Sequence, residues 1–329
     1  MDLALDPAAL LQCCAGEPHA FALDGSAAAS WGGNTAFLGF SPRAVLRINA
    51  VDGRVPAGDL DPLVALERFV DTYHREAPAT PCGFVVAALS YDLRSGIERL
   101  RPGRPLRPGQ PLLHAAVYDW LLAYDYAGGA WELRQRPGAD VDLDAIAVAV
   151  RQRAARLPER RSTSWSMGLR AEFDRAEHQE AVGRALAYIG AGDIYQVNVA
   201  QRFSAQGHTE AASLFAALQR GHPVPFGAYV DAGDFALVAN SPECFLRRDG
   251  QLLTTYPIKG TRARATGAAA DRQQQRELVA DAKERAEHVM LVDLGRNDVG
   301  RVAEFGTVET NEYMKIERYS QVMHLVSNV

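Results

Sequence analysis

Of the 35 lysine and arginine residues in this chain, only three are lysines: Lys259, Lys283 and Lys315. Arginine is the default positive charge here, so a retained lysine calls for a reason. Arginine stays protonated, whereas a lysine amine can attack carbon once burial or a neighbouring charge lowers its pKa. Lys259 follows Glu243 across the hairpin signal Asp249-Gly250. If those two residues form the turn, Glu243 pairs with Tyr256 and Lys259 with Asn240, putting the two levels roughly 10 Å apart along the strands. A regular pleat would place the two side chains on opposite faces. Pro242 and Pro257 cannot donate to a ladder, however, and let the chain redirect itself there. A carboxyl and an amine at one hairpin's open end suit a proton donor and a nucleophile. They also suit a plain surface pair on a strand end.

Glu287 follows Lys283 by one helical turn and shares its predicted helix with Asp293. Such a carboxylate is ordinarily solvated and paired with the lysine. The alternative is a hard cation such as Mg²⁺, which takes one or two carboxylates plus substrate oxygens. Gln196 and Asn198 fall on one face of an alternating stretch, 194–203, whose other face carries Tyr195, Val197 and Val199. That polar face is either solvated or a binding surface. Asp298 and Arg301 read as a loop-stabilising pair. Gly190-Ala191-Gly192 lacks the third glycine and preceding strand of a dinucleotide fingerprint. Cys13, Cys14, Cys82 and Cys244 show neither zinc spacing nor a disulfide framework, and the histidines include no His-Glu-x-x-His pair.

These residues need a scaffold, and the chain is long enough for one large α/β domain or two smaller ones. A net charge of −5 gives no general attraction to nucleic acid or anionic membrane. No apolar run approaches the roughly 18–20 residues of a membrane helix, and the N-terminus has no basic signal region, so the expected location is cytoplasmic. Strands are expected at 35–40 and 44–49, forming a hairpin at Ser41-Pro42, then a helix over 61–76. Further strands are expected at 83–90 and 114–126, with a surface loop over 100–111 between them. A helix over 142–157 runs into Arg151, Arg153, Arg156, Arg160 and Arg161, read as a solvated linker broken by Pro158. That places a boundary near residue 160, dividing the chain into 1–160 and 161–329. Asp174 caps a helix with Val182, Leu186 and Ile189 on one face. Two strands flank 231–234, and one long helix spans 271–294 with Leu278, Ala282, Ala286, Val289 and Met290 on one side.

Taken in order, Gly-Asp-Ile-Tyr-Gln-Val-Asn (192–198), Ser-Pro-Glu-Cys-Phe (241–245), Pro-Ile-Lys-Gly-Thr (257–261), the run 283–301 and His-Leu-Val-Ser (324–327) resemble the chorismate-utilising enzymes. These are the anthranilate, aminodeoxychorismate, isochorismate and salicylate synthases. Weaker likeness reaches back through Tyr118-Asp119-Trp120 to Tyr91-Asp92. The resemblance implies an α/β (α+β) fold of two layered β-sheets flanked by helices, with chorismate as substrate and Mg²⁺ as cofactor. Pro-Ile-Lys-Gly-Thr resembles the aminodeoxychorismate branch, since anthranilate synthases typically carry alanine where Lys259 stands. Gln196 replaces the lysine base of the water-adding members, which points to ammonia as the nucleophile.

On this resemblance Glu243 protonates the departing 4-hydroxyl and Lys259 attacks C2. Ammonia, from a separate glutamine amidotransferase subunit, then adds at C4 to give 4-amino-4-deoxychorismate, a precursor of 4-aminobenzoate and folate. Glu287 matches a Mg²⁺ ligand; Asn198, Gln196, Thr261 and His324 match substrate-binding positions. Asn34-Thr35-Ala36 departs from the motif that helps form a tryptophan pocket in many relatives. The family's C-terminal segment, with a Gly-rich substrate stretch, an arginine and a second Mg²⁺ carboxylate, is expected to be missing after Val329, leaving this chain poorly active. The competing expectations are anthranilate synthase component I and a non-catalytic homologue that docks a glutaminase.

Overall fold

Asp6 caps the first helix, α1 (Pro7–Cys14): its carboxylate accepts from the Ala9 N–H at 2.7 Å, and Pro7 is pre-set for the first turn. The computed structural model describes residues 3–26, 34–58, 61–74, 84–98, 105–107, 109–155, 168–207 and 209–329. They form two units, Met1–Pro158 with Ala211–Val329, and Glu159–Glu210. The first unit begins with α1, β1 (Phe21–Asp24), β2 (Thr35–Gly39), β3 (Ala44–Asn49), α2 (Pro62–His74) and β4 (Val85–Leu89). It continues with α3 (Arg94–Ile97), β5 (Pro111–Val117), β6 (Trp120–Asp125), β7 (Ala130–Gln135) and α4 (Leu143–Ala154). The second unit holds β8 (Arg170–Ala171), α5 (Arg175–Ala191) and β9 (Phe203–Ser204). The chain then re-enters the first unit with α6 (Ala211–Gly221), β10 (Phe226–Asp231), β11 (Ala236–Ser241), β12 (Arg247–Asp249) and β13 (Leu252–Thr254). Last come β14 (Ile258–Ala263), α7 (Ala268–Ala280), α8 (Ala282–Gly300), β15 (Glu312–Arg318) and β16 (Val322–Asn328).

The main sheet of the first unit has the order β11-β10-β1-β2-β6-β7, antiparallel throughout. It takes strands from both sides of residue 160, so the two successive halves expected from sequence are not separate bodies. Its strands β1, β2 and β6 are largely apolar on both faces. One face carries Leu38, Leu122 and Trp131 against Leu10 and Leu11 of α1, Val150 of α4 and Phe215 of α6. The other presents Phe21, Leu121 and Ala123 to Phe84, Ala116 and Tyr118, around the three-stranded sheet β3-β5-β4. The result is helices, sheet and second sheet in layers, the α/β class expected. Among the described residues no helix is long and apolar enough to cross a membrane.

Two strand expectations change. The apolar run 114–126 is two strands in two sheets, because the chain breaks at Tyr118-Asp119. There the Tyr118 N–H bonds the Phe84 carbonyl at 2.8 Å and the Asp119 carboxylate takes buried Arg136 at 2.7 Å. A strand buried on both faces has no alternation to mark such a break. The strands at 35–39 and 44–49 exist, but they are not a hairpin: β2 joins the main sheet and β3 the smaller one. Ser41, at φ 52°, donates to the Pro18 carbonyl while Arg43 donates to the Val117 carbonyl, so the corner links the sheets. Arg153 is no linker charge either. It pairs with Glu17 at 2.5 Å and lies over the Phe40 ring. Arg156, Arg160, Arg161, Cys82 and residues 100–104 and 108 of the 100–111 loop lie outside the described residues.

In the second unit Asp174 and Glu177 form a full capping box on α5, and Gly192 closes it at φ 79°. No residue of α5 is buried, so Val182, Leu186 and Ile189 mark a helical period without a covered face. Of the strand expected at 194–203 only Phe203 is in a paired strand, β9, against β8. The Arg202 carbonyl also accepts from the Glu172 N–H at 2.9 Å, but residues 194–201 have no ladder partner among the described residues, and alternation alone does not make a strand.

His114, on β5, is buried and stacks on His19 at 5.5 Å between ring centroids, with no hydrogen-bond partner for either ring nitrogen among the described residues. Burial first, then His19 and Arg47, holds it below the usual histidine pKa; Asp231 opposes them. The unfolded chain therefore binds this proton more readily, and stability is full above the ordinary histidine range and falls as pH drops through it. Denaturant midpoints measured from neutral to mildly acid pH should decline, and the decline should be shallower in His114→Phe. Equal slopes in the two proteins would contradict this.

Candidate active site

Glu243 is positioned by the way β11 ends. Pro242 stops the strand, and Ser241 Oγ accepts from the Glu243 N–H at 3.2 Å. Cys244 is buried against Tyr256, Val326 and Ile258, which anchors this turn from below. The following hairpin is shifted by one residue from expectation: Asp249 pairs with Leu252, so Gly250 (φ 60°) and Gln251 are the turn residues. Its ladder is three pairs long. Asn240 pairs with Gly227, not Lys259, and β14 pairs with β16 instead. Even so, Glu243 reaches the strand that carries Lys259. The Glu243 carboxyl accepts from the N–H of Ile258, the residue before Lys259. Burial of that carboxyl pushes its pKa up, and the Ile258 hydrogen bond partly offsets the rise.

Lys259 sits in a β-bulge. Ile258 pairs with Val326 and Thr261 with His324, leaving Lys259 and Gly260 opposite Leu325 alone. Gly260 has φ 95°, and a Cβ there would lie 3.0 Å from Leu325 Cδ1 and 3.3 Å from Leu278 Cδ1. Only glycine fits both the backbone and the space. The bulge breaks the regular pleat of the strand at Lys259.

The ε-amine of Lys259 lies 3.1 Å from Glu287 on α8, and Lys283 reaches the other Glu287 oxygen at 3.1 Å. Lys259, then Lys283, hold the Glu287 carboxyl below its usual range. The expected long helix over 271–294 is in fact α7 and α8, broken at Asp281. There the backbone is extended and the side chain caps α8 by accepting from Lys283 and Glu284 N–H. Arg262 of β14 bonds the same carboxylate at 2.6 Å, so the strand carrying Lys259 is tied to the start of the helix carrying Glu287. α8 runs on to Gly300, so Asp298 and Arg301 belong to a helix end rather than a loop network.

Thr261 Oγ1 and His324 Nδ1 are 2.9 Å apart across the β14–β16 ladder, and burial holds His324 below the usual histidine pKa. Lys259, Glu243, Glu287, Thr261 and His324 are thus one neighbourhood of the first unit. Gln196 and Asn198 belong to the second unit, in irregular chain after α5. His288, Ser327 and Gly260 were not singled out from sequence. A histidine beside Glu287 on a helix otherwise exposed around it was the available sign. Among the described residues no three His, Cys, Asp or Glu side chains are arranged to hold a metal. The fit to Mg²⁺ is that of one ionised carboxylate, Glu287, with water and substrate oxygens completing the shell.

Gly260→Ala should cost about 1–3 kcal/mol, the range for a residue forced into a sparsely populated backbone conformation. Chemical denaturation against the parent chain measures it; an unchanged midpoint would mean the bulge relaxes without loss.

The sequence matches the family described as chorismate binding enzyme over residues 18–329. It is 40% identical over 275 residues to anthranilate synthase component 1 of Thermus thermophilus, covering 82% of this chain and 59% of that one. The corresponding enzyme of Pseudomonas putida is 35% identical over 344 residues, covering 96% of this chain and 69% of the relative. Aminodeoxychorismate synthase component 1 of Bacillus subtilis is 32% identical over 314 residues, covering 91% and 67%. The fold superposes on anthranilate synthase component I from Streptococcus pneumoniae with a TM-score of 0.73 at 24% identity, over 89% of this chain and 68% of that one. A match along nearly the whole sequence, over a layered fold that such a solved structure shares, leaves one assignment: the chain belongs to the chorismate binding enzyme family.

Proposed function

We propose that this chain is the chorismate-converting part of an aminodeoxychorismate synthase component I. The observation that carries the reading is Lys259, an amine held on a glycine-kinked bulge one residue after the Ile258 N–H that the Glu243 carboxyl accepts. In the forward step Glu243 gives its proton to the departing 4-hydroxyl as the Lys259 amine bonds to C2, and water leaves. Ammonia then bonds to C4 as the C2–lysine bond breaks and frees the neutral amine, and the proton shed by the new C4 ammonium returns to the Glu243 carboxylate. The products are 4-amino-4-deoxychorismate and water, with the enzyme restored. A carboxyl whose pKa is raised by burial suits the donor role, because more of it carries a proton near neutral pH.

Glu287 is the residue for Mg²⁺, which when bound would hold and polarise a substrate carboxylate. Its two oxygens face two ammonium groups, and the Lys283 side chain, 76% exposed, is the one able to swing away. Thr261 and His324, joined across the ladder, present a hydroxyl and an imidazole edge for the substrate ring. Ammonia comes from a separate glutamine amidotransferase subunit. The second reading is anthranilate synthase component I, favoured by what the Thermus and Pseudomonas relatives are called and opposed by Lys259.

Incubation with chorismate, Mg²⁺ and ammonium, with products resolved by mass and retention time, separates the two. The expected product is 4-amino-4-deoxychorismate, lost in Lys259→Ala, with the dehydrated substrate trapped on Lys259 in intact-protein mass spectra. Anthranilate formed equally by both proteins would establish the second reading. Glu243→Gln should lower turnover by about 10²–10⁴-fold, the usual contribution of a positioned acid. The wild-type rate should also fall as pH rises and Glu243 loses its proton, a limb absent from the variant.

A further inference from the structure

The peptide joining Lys259 to Gly260 has an unusual freedom. Its second residue is a glycine, whose backbone populates both signs of φ at little cost. Nothing in the sequence of β14 fixes which way that peptide faces, yet its orientation sets where the Lys259 side chain leaves the strand. In the structure the Lys259 carbonyl is taken by Nδ1 of His288 at 3.0 Å. His288 is fully buried in α8, one residue after Glu287.

A carbonyl accepts, so Nδ1 carries the hydrogen. The other nitrogen, Nε2, lies 2.7 Å from Ser327 Oγ on β16. Ser327 Oγ already accepts from the Met314 N–H at 2.9 Å, which leaves its own hydrogen for His288 Nε2. The relay runs in one direction: Met314 N–H to Ser327, Ser327 O–H to His288, His288 N–H to Lys259. Met314 sits at φ 52° in a register shift of β15, which aims its N–H at Ser327. Two bulges, one on each side of β16, therefore feed a single buried chain of hydrogen bonds that ends at the Lys259 carbonyl.

We propose that His288, oriented by Ser327, is the positioning residue for Lys259: it holds the Lys259–Gly260 peptide in one orientation and so aims the ε-amine. This rests on the reading of Lys259 as the nucleophile for its functional meaning, but not for its geometry. Removing the donor leaves a buried carbonyl unsatisfied beside a glycine free to rotate, so the peptide relaxes and the amine loses its fixed direction.

The test uses His288→Ala, His288→Asn and Ser327→Ala in the full chain. The first readout is the rate at which trinitrobenzenesulfonate modifies Lys259 relative to Lys315 in the same molecule, resolved by peptide mass spectrometry. The second is kcat and KM for chorismate with Mg²⁺ and ammonium. His288→Ala should shift the labelling ratio by about threefold or more and lower kcat about tenfold, the scale of one lost buried hydrogen bond, with KM little changed. His288→Asn, whose side-chain N–H reaches the same carbonyl, should recover most of both. An unchanged labelling ratio in a folded His288→Ala, or no recovery in a folded His288→Asn, overturns the proposal. If His288→Ala does not fold, Ser327→Ala decides by the same ratio, a shift supporting the proposal and an unchanged ratio refuting it. A parent chain without turnover would count against the proposed function alone, since the labelling ratio still decides the positioning.

Discussion

The bulge at Lys259-Gly260 is the constraint around which this site is built. Two residues opposite one cannot keep a regular pleat, and the misfit is what turns Lys259 away from the direction its place in β14 would give it. Everything nearby either permits or fixes that misfit. Gly260 supplies the positive-φ backbone, and Leu278 and Leu325 pack so close that any side chain there would have to push them aside. Arg262 fastens the strand to the cap of α8, and α8 in turn delivers Glu287 to the amine and His288 to the carbonyl of one residue. A strand of six residues is thereby tied to its helix at three points, by charge, by a capped helix end and by a neutral hydrogen bond.

The electrostatics divide the site in two. Glu287 is drawn toward the ionised form by two lysines, whereas Glu243, with no cation shifting it, is pushed by burial toward the neutral form. The two carboxyls thus have opposite leanings, set by their surroundings and not by their chemistry. This separation suits one group to hold cations and the other to carry a proton.

What the sequence could and could not reveal follows from which forces act locally. Caps were readable because they are local: Asp142 and Asp174 start α4 and α5 where their side chains reach the first-turn N–H groups. The lysine count pointed to Lys259 because composition makes a rare residue conspicuous. The pairing of strands was not readable, since β2 and β3 look like a hairpin until the corner at Ser41 is seen to join two sheets. The break at Asp281 was hidden because α7 and α8 share a helical period, and only the capping by Asp281 separates them. The stretch 194–201 shows the reverse error: it has the alternation of a strand but no neighbour to complete the ladder. The bulge itself depends on Leu325, a contact no local pattern records.

The main sheet has a bearing on how the molecule is made. β1 lies between β2, its near neighbour in sequence, and β10, so Phe21 faces Gly39 on one side and Val230 on the other. During synthesis from the N-terminus, β1 must wait for nearly all of α6 and β10 to emerge before its second edge is covered. Until then it presents an apolar, unpaired edge to solvent and to other nascent chains. The loop that has to close is long and adds to the entropic barrier, although its cost grows only slowly with length. The first 158 residues alone therefore leave that edge of β1 unpaired. A break in translation before β10 would leave that edge open, the general hazard of an unpaired strand.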